Sequence, residues 1–144
     1  MVVTHDGLGG DLRARPMAAR LARRENAIYF LTNADSGKVE EVHQNRSVCL
    51  AFVDSKAKDY VSITGLAATL NDRAKIRELW SFPDKAFWRD ASDPEIRILR
   101  VEPETAEYWR SSGDLINAVR IVMASLGSAP PKLGDNEKVG LSNP

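Results

Sequence analysis

The chain has 144 residues, with 20 Lys plus Arg against 20 Asp plus Glu, so its formal net charge is zero. A balanced charge gives no general reason to expect a nucleic-acid or membrane-surface partner. Hydrophobic residues make up 43% of the sequence. A chain of this length buries roughly 68–70% of its unfolded surface, which is enough for one core without disulfides or a structural metal.

The sequence contains one cysteine, Cys49, so an intrachain disulfide is excluded. Cys49 lies in an apolar run, where we expect a buried and unreactive thiol. The two histidines, His5 and His43, are far apart, which argues against a zinc site. No apolar stretch approaches the roughly 18–20 residues of a membrane span, and the first residues do not resemble a signal peptide. We therefore expect a cytoplasmic protein that binds no metal and no membrane.

Five segments of the first half carry apolar or β-branched runs that predict strands: Met1–Thr4, Leu12–Leu21, Ala27–Thr32, Val48–Val53 and Asp59–Leu70. Pro16 indicates an edge or a bulge within the second of them. The polar segment Asp54–Lys58 predicts a hairpin between the last two. Between these strands, Val39 and Val42 lie three residues apart among charged residues, which predicts a short helix over Ser36–Asn45.

The second half is more helical. Asp72 is a typical N-cap for a helix over Arg73–Trp80. The remaining elements are predicted as two strands separated by Pro103, Arg97–Glu102 and Thr105–Arg110, and a helix over Asp114–Leu126. We expect one domain over residues 1–127, followed by an extended C-terminal tail over residues 128–144.

Residues 13–38 contain the groups of a possible anion site. Arg13 and Arg15 share one face of a strand, because strand side chains alternate. Thr32 ends the next strand, and Ser36 and Lys38 stand at the start of a helix, whose free N–H groups favour a phosphate. By itself, this pattern favours the plainer interpretation of a capped helix beside a solvated basic strand.

The order of motifs along the chain resembles that of the flavin-binding split barrels related to pyridoxamine 5'-phosphate oxidase, in the branch called general stress proteins. The motifs that carry the resemblance are Arg13-Ala14-Arg15-Pro16-Met17, Ile28-Tyr29-Phe30-Leu31-Thr32-Asn33, Asp35-Ser36-Gly37-Lys38-Val39, Tyr60-Val61-Ser62-Ile63-Thr64-Gly65, Asp93-Pro94 and Ala106-Glu107-Tyr108-Trp109. The resemblance implies a mainly β fold, a split β-barrel with peripheral α-helices, and flavin mononucleotide (FMN) as cofactor. It also implies a homodimer with flavin sites at the interface.

By matching position, the resemblance implies that Arg15 and Lys38 contact the flavin phosphate, with Thr32 and Ser36 as hydroxyl partners. It places the backbone of residues 16–18 beside the isoalloxazine ring. It also implies that the second subunit supplies Trp109 to the site. The full set of cofactor-binding residues that it implies is Arg15, Pro16, Met17, Ala18, Leu31, Thr32, Ser36, Gly37, Lys38, Tyr60, Ser62 and Trp109.

Several alternatives remain open from the sequence. Trp80 and Trp88 fit a core or an interface better than a cofactor contact. Arg20 fits a solvated turn, or a supplement to the phosphate site. Pyridoxamine phosphate oxidases carry an Arg-x-His motif soon after the position of Trp109, and the segment that begins at Arg110 lacks it.

The sequence therefore predicts an FMN-dependent oxidoreductase that acts on a small acceptor and is not a true pyridoxamine 5'-phosphate oxidase. No residue presents itself as a catalytic acid or base. A non-catalytic protein that stores flavin is the alternative, and an oligonucleotide-binding barrel is a more distant one.

Overall fold

The fold is taken from a computed structural model, which describes residues 1–5, 10–22, 24–56 and 59–109, and the backbone of residues 136–140. The strands are β1 Val2–His5, β2 Leu12–Arg15, β3 Arg20–Ala22, β4 Ala27–Asn33, β5 Ser47–Asp54, β6 Asp59–Leu70, β7 Ile96–Trp109 and β8 Asn136–Gly140. The helices are α1 Gly37–Gln44, α2 Arg73–Leu79 and a 3₁₀ helix, Phe82–Ala86.

The strands form one antiparallel sheet in the order β2-β1-β5-β6-β7-β4-β3, and β8 pairs with β7. The long strand β7 organises this sheet. Its residues 96–101 pair with β4, its residues 105–109 pair with β8, and β6 runs along its other side. The predicted fold class, mainly β with peripheral helices, is confirmed.

Strand β4 is buried on both faces, which explains why its sequence is a continuous apolar run. Ile28 and Phe30 join the main core, to which α1 contributes Val42. Leu31 points the other way and joins a second core cluster, to which α2 contributes Ile76. β4 is therefore held between two cores, and its last residues are positioned by this packing and by their pairing with β7.

The prediction of one strand over Leu12–Leu21 is wrong, because the structure has two short strands there, β2 and β3, which pair with different neighbours. Residues 16–19 belong to neither strand. Pro16 has no N–H to donate to a ladder, so the chain leaves the sheet at this residue. The predicted irregularity at Pro16 is therefore a connection between two edges of the sheet.

The prediction of two strands around Pro103 is also wrong, because β7 is continuous from Ile96 to Trp109. Pro103 pairs with Gly65, and the register between β6 and β7 shifts at Thr64 and Gly65. A proline is tolerated in a strand at such an irregularity. Pro103 therefore lies at a bulge within one continuous strand and does not end that strand.

Both helices predicted in the described ranges are confirmed, and Asp72 caps α2 by accepting a hydrogen bond from the Lys75 backbone N–H at 2.9 Å. The predicted helix Asp114–Leu126 lies outside the described residues. The segment predicted as an extended C-terminal tail contains β8. None of the helices in the described ranges combines the length and the apolar character that crossing a membrane requires.

Candidate functional site

A cavity of about 880 Å³ opens at the C-terminal end of β4. Its walls are the connection after Pro16, the end of β4 with the start of α1, and the 3₁₀ helix with the residues that follow it. Small-molecule sites usually measure about 300–1,000 Å³. The described residues that line it are Pro16, Met17, Ala18, Arg20, Leu31, Thr32, Asn33, Asp35, Ser36, Lys38, Asp84, Phe87 and Trp88.

The Lys38 ammonium group joins the end of β4 to the start of α1. It donates to Thr32 Oγ1 at 2.9 Å and to Ser36 Oγ at 2.6 Å. Thr32 is buried near the end of β4, and Ser36 is the N-cap residue of α1. The Ser36 hydroxyl makes no capping bond to α1, so it is available to the lysine. One ammonium group and two hydroxyls therefore converge at a helix start that borders the cavity.

The electrostatic surroundings of Lys38 favour an added negative charge. Burial lowers the pKa of Lys38 most, and the positive charge of Arg15 lowers it further. The carboxylates of Glu41 and Asp35 act in the opposite direction. The pKa of Lys38 is lowered overall, mainly because burial disfavours the charged ammonium group, and an anion placed beside it would favour the charged form.

Arg15 lies next to this group of residues but does not line the cavity. Its Nη1 and Nη2 atoms each donate to the Glu41 carboxylate at 2.6 Å, and Nη1 also donates to Thr4 Oγ1 at 2.8 Å. Arg15 Nη2 would be 3.8 Å from a Cβ atom placed on Gly37, so Gly37 lies beside the guanidinium. In this single chain, the positive charge of Arg15 is compensated mainly by the buried Glu41 carboxylate.

The connection after β2 supplies one wall of the cavity. Pro16, Met17 and Ala18 all line it, as the resemblance implies for the residues beside a flavin ring. Met17 also packs against the main core, which fixes the position of this wall. Leu31 adds an apolar side chain from β4. Seven of the twelve residues implied by the resemblance are thus brought together at the cavity: Pro16, Met17, Ala18, Leu31, Thr32, Ser36 and Lys38.

The opposite wall was not predicted as a site. Asp84 is buried in the 3₁₀ helix and forms a capping box with Ser81, whose backbone N–H and hydroxyl both donate to Asp84 Oδ2. The Ser81-x-x-Asp84 spacing is a sequence signal for this cap, although nothing in it indicates a cavity. Trp88 lines the cavity, packs against the second core cluster and donates from Nε1 to Asn33 Oδ1.

Arg20 belongs to this second wall and is not part of a solvated turn. Its side chain is 15% exposed and forms an ion pair with Asp84. Trp80 packs in the second core cluster at 6.4 Å from Trp88, between ring centroids, as expected for a core residue.

Tyr60, Ser62 and Trp109 are not among the described residues that line the cavity. Tyr60 pairs with Trp109 across β6 and β7, and the two side chains are 45% and 39% exposed. Ser62 follows on the same face of β6, where its Oγ lies 3.3 Å from the Sγ atom of Cys49.

Cys49 is partly exposed, so the prediction of a buried thiol is wrong. Among the described residues, no group of three or more His, Cys, Asp and Glu side chains could hold a metal ion.

Comparison with known proteins identifies the relatives of this chain. The family model described as pyridoxamine 5'-phosphate oxidase like matches residues 1–131. Protein bli-3 of Neurospora crassa is 28% identical over 143 residues, covering 91% of this chain and 68% of that protein.

Two solved structures share the fold. The general stress FMN/FAD binding protein of Xanthomonas citri is 27% identical with a TM-score of 0.65, covering 79% of this chain and 82% of that one. General stress protein 26 of Bacillus anthracis is 20% identical with a TM-score of 0.66, covering 74% and 80% of the two chains. The fold that they share with this chain is the predicted split barrel.

Proposed function

We propose, on the premise that this chain belongs to the pyridoxamine 5'-phosphate oxidase-like family, that it binds FMN in the cavity and is an oxidoreductase for a small acceptor. The observation that carries the proposal is the convergence of Lys38, Thr32 and Ser36 at the start of α1. The similar protein of Xanthomonas citri is described as a general stress protein that binds FMN or FAD. That likeness supports a flavin as the ligand and a place for this chain in the same group.

The phosphate fits the group around Lys38. Lys38 provides a charged donor, and Thr32 and Ser36 provide hydroxyls. These groups lie at the N-terminus of α1, the end toward which the first backbone N–H groups of a helix point. Because Glu41 compensates the charge of Arg15 and Asp35 also lines the cavity, the positive charge there is modest. Hydrogen-bond donors therefore carry much of the phosphate recognition.

The isoalloxazine ring fits the wall formed by residues 16–18 together with Leu31. This wall is mainly apolar and its position is fixed by the packing of Met17 on the core. When bound, the flavin supplies the electron-transfer chemistry, and the chain supplies binding and orientation. The described part of the lining contains no histidine, cysteine or tyrosine, so it offers few groups for proton transfer.

Because the described lining offers few groups for proton transfer, it also favours a second function, in which the chain binds and stores flavin without turnover. The two functions are distinguished by spectroscopy. The purified protein is loaded with FMN under anaerobic conditions, mixed with NADH or NADPH, and then exposed to air. The oxidoreductase is indicated by bleaching of the flavin absorption that recovers on repeated cycles. A bound flavin that is not reduced by either donor indicates the storage function.

We further propose a homodimer in which Tyr60, Ser62 and Trp109 contribute to the flavin site of the partner subunit. All three lie on strands β6 and β7, and none of them is among the described residues that line the cavity of their own chain. Val53 pairs with Tyr60 and is 58% exposed, so an apolar row crosses three strands of the sheet surface. Burial of such a row is a source of association energy.

A further inference from the structure

Arg20 connects two parts of the cavity wall to each other and to the end of α2. Its Nη1 atom donates to the backbone oxygen of Ala18 at 3.2 Å, and its Nε atom donates to the backbone oxygen of Leu79 at 2.9 Å. Its Nη2 atom is paired with Asp84. One guanidinium group thus holds the connection after β2, the end of α2 and the 3₁₀ helix in a fixed relationship.

Asp84 connects Arg20 to the aromatic residues of the wall, Phe87 and Trp88. Its Oδ2 atom accepts from the Ser81 backbone N–H at 2.8 Å, which fixes the start of the 3₁₀ helix. Its backbone oxygen accepts from the N–H groups of Phe87 and Trp88 at 2.9 and 3.1 Å. Both aromatic residues line the cavity, and the Phe87 side chain is 78% exposed. Their positions therefore depend on Asp84, and through it on Arg20.

We propose that Arg20 is a positioning residue for the part of the cavity that holds the flavin ring, and that it does not bind the phosphate. This inference rests on the proposed function. The charge of Arg20 is compensated by Asp84, and each nitrogen of its guanidinium already has an oxygen of the protein as partner. Lys38, in contrast, is bonded to two neutral hydroxyls, so its charge is available to a phosphate.

The two roles predict different effects on FMN and on riboflavin, which has the same ring and no phosphate. Loss of a phosphate contact weakens the binding of FMN alone. Loss of a residue that positions the ring wall weakens both ligands by the same factor. The ratio of the two dissociation constants therefore separates the roles, whatever the absolute affinity.

The test is a fluorescence titration of the full chain with FMN and with riboflavin. Arg20→Lys keeps the charge but cannot donate to three separate oxygens in the fixed fork of a guanidinium. Asp84→Asn is the second variant, since its amide oxygen can still accept from Ser81 while its NH₂ group opposes Arg20. Arg77→Lys is the matched control, because Arg77 is exposed on α2 and is not among the described lining residues.

We expect Arg20→Lys and Asp84→Asn to weaken both ligands by about tenfold, with an unchanged ratio of dissociation constants, and the control to change neither. Iodide quenching of the bound flavin should increase in both variants, because the ring wall is looser. The inference is overturned if FMN binding weakens while riboflavin binding is unchanged, or if folded variants bind both ligands as tightly as the wild type does. If the wild type binds neither ligand, the proposed function itself fails.

Discussion

The Glu41 carboxylate binds the Arg15 guanidinium in a bidentate arrangement, with both nitrogen–oxygen distances at 2.6 Å. Thr4 donates to the same carboxylate from β1. The side chains of Arg15 and Glu41 are 26% and 10% exposed, so this pair connects β2 to α1 below the surface. It lies beside Gly37 and Lys38, and it fixes the start of α1 relative to the strand that precedes the cavity wall.

This pair predicts a pH-dependent stability. The Arg15 guanidinium is the main reason why the pKa of Glu41 lies below its usual range, and burial partly opposes it. The stability that Glu41 contributes is therefore present above its unfolded pKa and is lost as the pH falls through its folded pKa. Glu41→Gln should lower the free energy of unfolding by about 1–3 kcal/mol near neutral pH.

The measurement is urea unfolding of wild type and Glu41→Gln between about pH 7 and about pH 3. Glutamine does not titrate, so the difference between the two proteins should shrink as the pH falls. A difference that stays constant over this range would mean that the pair does not stabilise the fold through its charge.

Gly65 is required by the bulge between β6 and β7. A Cβ atom at this position would lie 2.3 Å from the backbone oxygen of Glu102, which cannot move without disturbing β7. Gly65→Ala should therefore destabilise the fold by about 1–3 kcal/mol. Gly37→Ala is the matched control, because its nearest contacts would be at 3.8 Å. Thermal unfolding of both variants tests this, and an equal midpoint for the two would contradict the role of the bulge.

The exposed row on β6 and β7 predicts a link between association and flavin binding. Trp109→Ala should shift the protein from dimer to monomer and weaken FMN binding, while the unfolding transition is retained. Phe82→Ala serves as the control, because Phe82 is 81% exposed on the 3₁₀ helix and lies away from this row. Analytical ultracentrifugation with and without FMN measures both effects. A wild-type monomer that still binds FMN at micromolar concentration would rule out a shared site.

We expect the FMN-loaded protein not to oxidise pyridoxamine 5'-phosphate. Such a substrate brings its own phosphate and needs a second anion site to be placed against the ring, since correct placement contributes several kcal/mol to the lowering of a barrier. The segment after Trp109 runs Arg110-Ser111-Ser112-Gly113-Asp114, which lacks the Arg-x-His motif and adds a negative charge.

An assay of pyridoxal 5'-phosphate formation under air, with free FMN as the baseline, checks this expectation. Turnover of about 1–10 per second, which is common among enzymes, would show that another residue binds the substrate phosphate.

Much of the fold follows from local sequence patterns. The run at β4, the alternation of β6 and the Asp72 cap of α2 are all local signals, and the structure has these elements where the sequence predicts them. The two errors in strand assignment have one origin. A proline marks a missing N–H, but only the neighbouring strands decide whether the chain departs there, as at Pro16, or passes through a bulge, as at Pro103.

The candidate site was predictable only where its residues are close in sequence. Thr32, Ser36 and Lys38 lie within seven positions, and the resemblance to a flavin-binding family, not their spacing alone, marks them as an anion site. Arg20 and Asp84 are separated by 64 positions, and no local pattern joins them. Their contact depends on how α2 and the 3₁₀ helix fold back over β3 and β4, which is a property of the tertiary structure.

The most direct test of the account is a fluorescence titration of wild type and Lys38→Met with FMN and with riboflavin. Lys38 is bonded to Thr32 and Ser36 at the cavity, so its loss removes one charge-assisted hydrogen bond to a phosphate. Lys85→Met is the control, because Lys85 is exposed on the neighbouring 3₁₀ helix. We predict that the wild type prefers FMN, and that Lys38→Met weakens FMN binding by about 10–100-fold and leaves riboflavin binding unchanged. Equal wild-type affinity for the two ligands, or an equal loss of both in Lys38→Met, would contradict a phosphate site at the start of α1.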